Sequence, residues 1–280
     1  VSQISAHHAK ASTVQVSTGP VAVLDSAATA ELRGTALLLP GYTGTKEDFV
    51  DILDPLAARG FRVVAMDQPG QYQSPGPTDY LAYTPDWLGS VACAVAQTLD
   101  TGPIHLLGHS FGGLSARAAV IAKPELFASL TLLDSGPAKL GGGRTAQIDI
   151  LEPLYESGGI EAVYNQLEQL AMADPAWKTR PQALKDFLRT RFVGSTAASL
   201  RGMGTSLVTE PDRVDELRAT GVRVLVAYGE HDDAWSPKTQ AEMAERLGAP
   251  REMIPGAIHS PAVEATDAVV KVLDDFWSQA

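Results

Sequence analysis

The sequence is nearly without cysteine. Its 280 residues include one cysteine, Cys93, so an intrachain disulfide and a paired-thiolate metal site are both excluded. Cys93 lies in the apolar run from position 91 to 95 and reads as a buried helix residue. There is no HExxH pair, no clustered histidine set and no Walker loop, and the triplet Gly141, Gly142, Gly143 lacks the G-x-G-x-x-G spacing of a dinucleotide site. Neither a metal nor a cofactor is expected. Cations are also scarce, 22 Lys and Arg against 33 Asp and Glu, for a net charge of −11. Such a field repels phosphate backbones and anionic headgroups, so neither nucleic acid nor a membrane surface is an expected partner. No apolar stretch approaches the length of a membrane span, and residues 1–20 mix Ser, His, Lys and Thr where a signal peptide would be continuously apolar. The expected location is cytoplasmic.

What is present is globular. With 45% hydrophobic and 20% charged residues and no low-complexity tract, the chain can bury a sizeable core. Short aliphatic runs at 21–24, 35–39, 62–66, 104–107, 130–133, 222–228 and 252–254 alternate with helical patterns. That alternation predicts an α/β architecture with a mostly parallel sheet flanked by helices, and continuous apolar runs suit strands buried on both faces. Phe49, Ile52, Leu53, Leu56 and Ala57 recur at helical spacing, as do Val269, Val270, Leu273 and Phe276. Pro55 should kink or split the first of these helices. From 139 to 219 strand patterns stop, which predicts an inserted helical cap at 139–219 on a core formed by 1–138 and 220–280.

The strongest motif is the run at 104–113, Ile-His-Leu-Leu-Gly-His-Ser-Phe-Gly-Gly. An apolar strand enters G-x-S-x-G and a helix-forming stretch follows, which is the pattern of a nucleophile elbow. Ser110 must sit on a strained turn, and Gly108 and Gly112 leave room where side chains would collide. Serine is a poor nucleophile at neutral pH, so it needs a base to take its proton and a carboxylate to hold that base in the right tautomer. Six histidines are available. His259 follows the last strand and precedes the last helix; His7, His8 and His231 read as loop residues, His105 as a core histidine, and His109 as a packing residue inside the elbow.

In these motifs the chain resembles the α/β-hydrolase fold family, over roughly 20–280, in its serine esterase and lipase-like branch. The resemblance implies a catalytic Ser110, His259 and an acid at the exit of the seventh strand. In the run Gly229, Glu230, His231, Asp232, Asp233, Asp232 occupies the acid's place; Asp233 and Asp134 are alternatives, since some relatives draw the acid from the end of the sixth strand. It further implies an oxyanion hole from the backbone N–H groups of Tyr42 and Phe111. Many relatives carry His-Gly before the first donor, where this chain has Pro40-Gly41. They also carry a second glycine in the Asp-x-x-Gly-x-Gly-x-Ser turn, where this chain has Tyr72.

The implied reaction is hydrolysis of a carboxylic ester or lactone through an acyl-enzyme on Ser110. C–C bond, thioester or amide hydrolysis, or perhydrolysis, on the same triad is the alternative, and a non-catalytic receptor of the same fold is a further one. Epoxide hydrolases and haloalkane dehalogenases need aspartate as nucleophile, which the serine at 110 argues against. The expected partner is a small, apolar acyl substrate. Leu154, Tyr155, Tyr164, Met172, Trp177, Phe187, Phe192 and Met203 in the cap could line its pocket, with Trp177, Trp235, Tyr155 and Met203 as the candidates for substrate contact.

Overall fold

The computed structural model describes residues 3–279 apart from 100, 142 and 174. Gly142 of the glycine triplet and the first two residues of the N-terminal stretch therefore lie outside the described residues. All seven apolar runs are strands, and an eighth strand precedes them: β1 (Lys10–Val16), β2 (Gly19–Ser26), β3 (Gly34–Leu39), β4 (Phe61–Met66), β5 (Ile104–His109), β6 (Phe127–Leu133), β7 (Arg223–Gly229) and β8 (Arg251–Ile254). They form one sheet in the order β1-β2-β4-β3-β5-β6-β7-β8. The β1-β2 and β2-β4 pairs are antiparallel and the rest are parallel. Every residue of β5 is buried, as expected of a central strand covered on both faces. β1 has the polar sequence KASTVQV and is largely exposed; it touches the core through Val14 and Val16. An edge strand of that kind has no apolar run to announce it.

Helices α1 (Val50–Ala57) and α12 (Thr266–Trp277) bury Ile52, Leu53, Leu56, Val269, Val270 and Leu273 against one face of the sheet. On the other face lie α2 (Pro85–Thr98), α3 (Phe111–Ala122) and α10 (Pro237–Leu247), contributing Val91, Val95, Ala116, Val120 and Met243. α1 is not split at Pro55. Only two helical residues follow the proline, so the lost N–H affects the final turn alone.

Between β6 and β7 the described residues form helices and no strand: α4 (Gly143–Ser157), α5 (Gly159–Ala171), α6 (Pro175–Thr179), α7 (Gln182–Gly194), α8 (Ala197–Thr209) and α9 (Val214–Ala219). Leu151, Val163, Tyr164, Phe192 and Leu200 from α4, α5, α7 and α8 share a small core of their own. α9 differs, because Val214 and Leu217 pack into the main core. α8 lies between the two, since Leu200 joins the small core while Met203 and Leu207 pack with Leu88, Phe111 and Leu114.

The two ends of this excursion are tied together. Lys139 N–H donates to the Glu210 carbonyl at 2.9 Å and Leu140 N–H to the Leu207 carbonyl at 2.7 Å. Beneath them Arg117 of α3, 1% exposed, donates to the Glu210 carboxylate at 2.6 Å and to the carbonyl oxygens of Gly136 and Pro137. Burial pulls the guanidinium of Arg117 below its ordinary pKa and pushes the Glu210 carboxyl above its own, so each charge depends on the other. Arg117→Met is expected to lower the unfolding free energy by about 3–5 kcal/mol, because it strands a buried carboxylate. Arg117→Met combined with Glu210→Leu should recover much of that loss, as read from urea unfolding midpoints.

Candidate active site

β5 passes into α3 through a single residue, Ser110, with φ 53° and ψ −121°. A non-glycine residue with positive φ is strained, and here tight packing holds it in place. A Cβ on Gly108 would lie 2.3 Å from the Gly112 carbonyl oxygen, one on Gly112 2.4 Å from the Leu39 carbonyl oxygen, and one on Gly113 2.3 Å from the Ser135 hydroxyl. The glycines expected at 108 and 112 are therefore required by close approach of β3, β5 and α3, and Gly113 by approach of the β6 exit. Ser110 N–H donates to the Leu133 carbonyl at 2.9 Å, which anchors the turn to β6.

Three loops at the carboxyl edge converge on this serine. Asp232 follows β7, His259 lies between β8 and the short α11 (Pro261–Glu264), and Ser110 follows β5. His259 Nδ1 is 2.8 Å from Asp232 Oδ1, and His259 Nε2 is 2.9 Å from Ser110 Oγ. All three residues are nearly buried. Because a carboxylate oxygen only accepts, the imidazole proton belongs on Nδ1, leaving the Nε2 lone pair facing the serine hydroxyl. Asp232 also accepts from Ala234 N–H at 2.8 Å and from Gln240 Nε2 at 2.6 Å. Burial works to raise its pKa, but the hydrogen bond and charge attraction of His259, with the Ala234 N–H, hold it below the ordinary value.

The alternative acids do not reach the imidazole. Asp233 is 59% exposed and pairs with Arg144, facing away because side chains of consecutive loop residues diverge. Asp134, at the end of β6, is fully buried and accepts from Gly229 N–H at 2.8 Å. The remaining histidines fall where expected. His105 bonds Ser129 Oγ at 2.9 Å and stacks on Trp277, with ring centroids 5.2 Å apart, and burial drops its pKa to about 4. His109 is likewise pushed to about 4 by burial, then by the neighbouring His259. It is therefore neutral near pH 7, and its Nε2–H donates at 2.6 Å to the backbone carbonyl of His259. His8 pairs with Asp54 at the surface, and His231 is exposed beside Glu230.

The loop after β3 lies directly on the elbow, with the position of a Gly41 Cβ 3.2 Å from that of Ser110. Its carbonyls are held by the following turn: Gln68 Nε2 donates to Pro40 O at 2.9 Å and Gln71 Nε2 to Gly41 O at 2.7 Å. This sets the conformation of the Pro40-Gly41 loop. Phe111 opens α3, so its N–H has no acceptor within its own helix. Tyr72, which replaces a common glycine, has φ 37°; the backbone keeps the left-handed conformation while the ring sits 5.0 Å from the Lys46 ammonium and edge-on to Phe187 of α7. Lys46 in turn bonds Asp67 Oδ2 at 2.8 Å, and its N–H bonds Asp67 Oδ1 at 2.8 Å.

Two cavities reach Ser110 and His259, and both are also lined by Tyr42, Thr43 and Arg144. One, of about 290 Å³, is polar and borders Asp48, Arg191 and Glu264. The other, of about 190 Å³, is apolar and borders Leu140, Ile148, Leu151, Leu167 and Leu207. None of the four side chains expected to contact substrate lines either cavity. Trp177 borders a separate space of about 160 Å³ with Leu167 and Phe192. Trp235 is buried against Gly136 with its Nε1–H on the Ala138 carbonyl at 3.0 Å, and Met203 is fully buried in the same apolar cluster. The Tyr155 hydroxyl meets that of Tyr42 at 3.0 Å. Size and apolarity suit a large side chain for packing as well as for a pocket wall, and Trp235 and Met203 pack. Leu140, Ile148 and Arg144, which do line the site, carry no distinguishing local pattern, and neither does Gln240. A larger depression of about 670 Å³, bordered by His8, Asp25 and Arg62, shares no residue with the site.

Asp134, Asp232 and His259 offer ligand atoms within 4.8 Å of one another, a spacing that would admit a cation. Two of the three are already engaged with each other: His259 Nδ1 and Asp232 Oδ1 face each other, and Asp232 Oδ2 accepts from Gln240. Among the described residues, no helix is long and apolar enough to cross a membrane.

The chain matches the alpha/beta hydrolase family over residues 36–272. It is 30% identical over 221 residues to the dihydrolipoyllysine-residue acetyltransferase component of the acetoin cleaving system of Cupriavidus necator, covering 75% of this chain and 54% of that protein. It is 34% identical over 125 residues to a 2-hydroxy-6-oxononadienedioate/2-hydroxy-6-oxononatrienedioate hydrolase of Cupriavidus pinatubonensis, covering 44% of this chain and 43% of the relative. The chain thus spans about half the length of these curated relatives. Among solved structures it superposes on a carboxylesterase of Nitrososphaera gargenis with a TM-score of 0.77 at 20% identity, over 96% of this chain and 98% of the other, a likeness of fold.

The Lys46–Asp67 pair lies beneath the loop after β3. Burial raises Asp67 to about 6 even with Lys46 beside it, while Lys46, against the effect of its own burial, is held above its ordinary value by Asp67 and Glu47. Lys46→Met is expected to cost about 3–5 kcal/mol near pH 8, where the Asp67 carboxylate loses its counter-charge and keeps only backbone N–H donors. Lys46 works to lower the Asp67 pKa, so in its absence the carboxyl is raised further and takes up its proton above pH 6; the cost should therefore shrink as pH falls from 8 to about 6 and level off below, where both folded proteins hold the proton. Chemical unfolding of both proteins at pH 8, 6 and 4.5 measures it.

Proposed function

Because the chain belongs to the alpha/beta hydrolase family, we propose that it is a serine hydrolase acting on carboxylic esters or lactones through an acyl-enzyme on Ser110. The observation that carries this reading is the unbroken hydrogen-bond chain from Asp232 through His259 to a serine on a strained turn, with links of 2.8 and 2.9 Å. Ser110 Oγ adds to the carbonyl carbon while its proton passes to His259 Nε2, and Asp232 stabilises the imidazolium that forms. The N–H groups of Tyr42 and Phe111 receive the oxyanion. His259 then returns the proton to the leaving alkoxide, and water repeats the sequence on the acyl-enzyme. Esters and lactones are favoured because an alkoxide leaves more readily than an amide nitrogen.

The helical layer that starts at 139 acts as a cap in this reading. It supplies Leu140, Ile148, Leu151, Leu167 and Leu207 to the apolar cavity, which suits an acyl chain of modest size. A second reading has a specific observation behind it. The polar cavity carries Arg144 and Arg191, each paired with a protein carboxylate, Asp233 and Asp48, that a substrate carboxylate would displace, and one relative is named as a hydrolase of a dioate. Hydrolysis of a C–C bond beside a ketone, with the same triad, is therefore the alternative.

A fluorophosphonate probe is expected to label the native protein and not Ser110→Ala, and p-nitrophenyl ester turnover should vanish with the label. Asp232→Asn should lower kcat about 10³–10⁴-fold, as expected when the base loses its orienting carboxylate, whereas Asp233→Asn should change it less than about twofold. Labelling with no turnover of any ester, lactone or diketone would refute both hydrolytic readings. Turnover of a vinylogous 1,5-diketone in preference to esters would favour the second over the first.

A further inference from the structure

Asp134 has a carboxyl oxygen that the fold leaves without a donor. The residue is 0% exposed at the carboxyl end of β6. Its Oδ1 accepts from Gly229 N–H at 2.8 Å, but no N–H or O–H reaches its Oδ2. What does lie beside it is another carboxylate: ligand atoms of Asp134, Asp232 and His259 fall within 4.8 Å of one another. Two ionised carboxylates cannot share a dry site at that range, and the stable arrangement gives one of them a proton.

Asp232 is the one that stays ionised. It accepts from His259 Nδ1, Ala234 N–H and Gln240 Nε2, and three donors occupy three of the four lone-pair positions of a carboxylate. One position remains for a fourth donor. We propose that Asp134 is a neutral carboxylic acid whose O–H fills that position on Asp232, making it a positioning residue one step beyond the Ser110–His259–Asp232 chain. This rests on the serine-hydrolase reading for its consequence in catalysis, though not for the proton itself.

The surroundings agree. Asp134 is held well above the ordinary carboxyl range first by burial, then by the charge of Asp232, with Glu264 adding to it and the Gly229 N–H opposing. The charged or titratable groups facing it are Asp232, Glu264 and His259. A neutral Asp134 leaves a single negative charge opposite the single imidazolium formed during turnover, and it locks the Asp232 carboxylate against rotation. Asp134 also has φ 47°, a conformation that Asp and Asn tolerate better than other side chains, so Asn is a conservative probe at this site.

Asp134→Asn keeps a donor toward Asp232 and an acceptor for Gly229 but removes the proton that titrates. In infrared difference spectra at pH 7.5, native protein minus Asp134→Asn should show the carbonyl stretch of a protonated carboxylic acid, shifting in D2O. Absence of that band overturns the proposal whether or not the protein is a hydrolase. In kcat/KM profiles, the acidic limb that reports His259 should stay in place in Asp134→Asn; a fall of more than about one pH unit, as expected from losing a nearby negative charge, overturns it too. Asp134→Ala, which has no donor, should lose about tenfold in kcat with little change in KM while Asp134→Asn stays within about threefold. Equal losses in the two folded variants would count against the hydrogen bond. Fluorophosphonate labelling of Ser110, run alongside, tests the hydrolase reading separately.

Discussion

The left-handed turn at Ser110 is the constraint around which the carboxyl edge of the sheet is organised. A serine at φ 53° costs of order 1–3 kcal/mol, and that cost is offset by burying β5 completely and by packing α3 against β3 and β5 at glycine-only distances. The same closeness projects the hydroxyl away from the sheet and toward His259. Strain, steric fit and the direction of the side chain are thus one feature with three aspects. Relaxing the turn would return Oγ to the strand surface and break its 2.9 Å contact with the imidazole.

Around that turn, burial sorts the titratable groups into fixed charge states. His105 and His109 are driven to about 4 and are neutral near pH 7, so neither competes with His259 for a proton. His109 instead becomes a donor that pins the backbone of His259. Asp232 remains ionised because its donors outweigh its desolvation. Lys46 and Asp67 stabilise the loop after β3 from below, with Gln68 and Gln71 fixing its carbonyls. Burial and these partners together set the charge states of His105, His109, Asp232 and Asp67 around the serine.

The helical segment between β6 and β7 serves the site from outside. It packs largely through its own small core, and its two ends meet at Arg117, which belongs to the helix that follows Ser110. The elbow helix and the start and finish of the excursion therefore share one buried ion pair. In the function proposed above, that junction sets where the apolar wall of Leu140, Ile148 and Leu151 stands relative to the nucleophile.

Much of this was legible in the chain. Apolar runs located β2 to β7, because strands largely buried in the sheet cannot hide their hydrophobicity, while β8 at the edge showed only a short mixed run; G-x-S-x-G located Ser110, because the turn tolerates no side chain at its flanking positions. The position of His259 after the last strand was equally readable. β1 was not, since an exposed edge strand needs only two apolar contacts. The sequence left Asp232, Asp233 and Asp134 as competing acids, since all three stand at strand exits; only the folded loops decided that the first faces the imidazole, the second faces solvent, and the third lies buried beside the first. Gln240, Arg144 and the leucines of the cavity carry no local signal at all, and the size and apolarity of Trp177, Trp235, Tyr155 and Met203 did not say whether they pack or line a cavity. Periodicity and steric necessity are written along one strand or turn, whereas a cavity wall is made by residues whose only common property is the place where the chain brings them together.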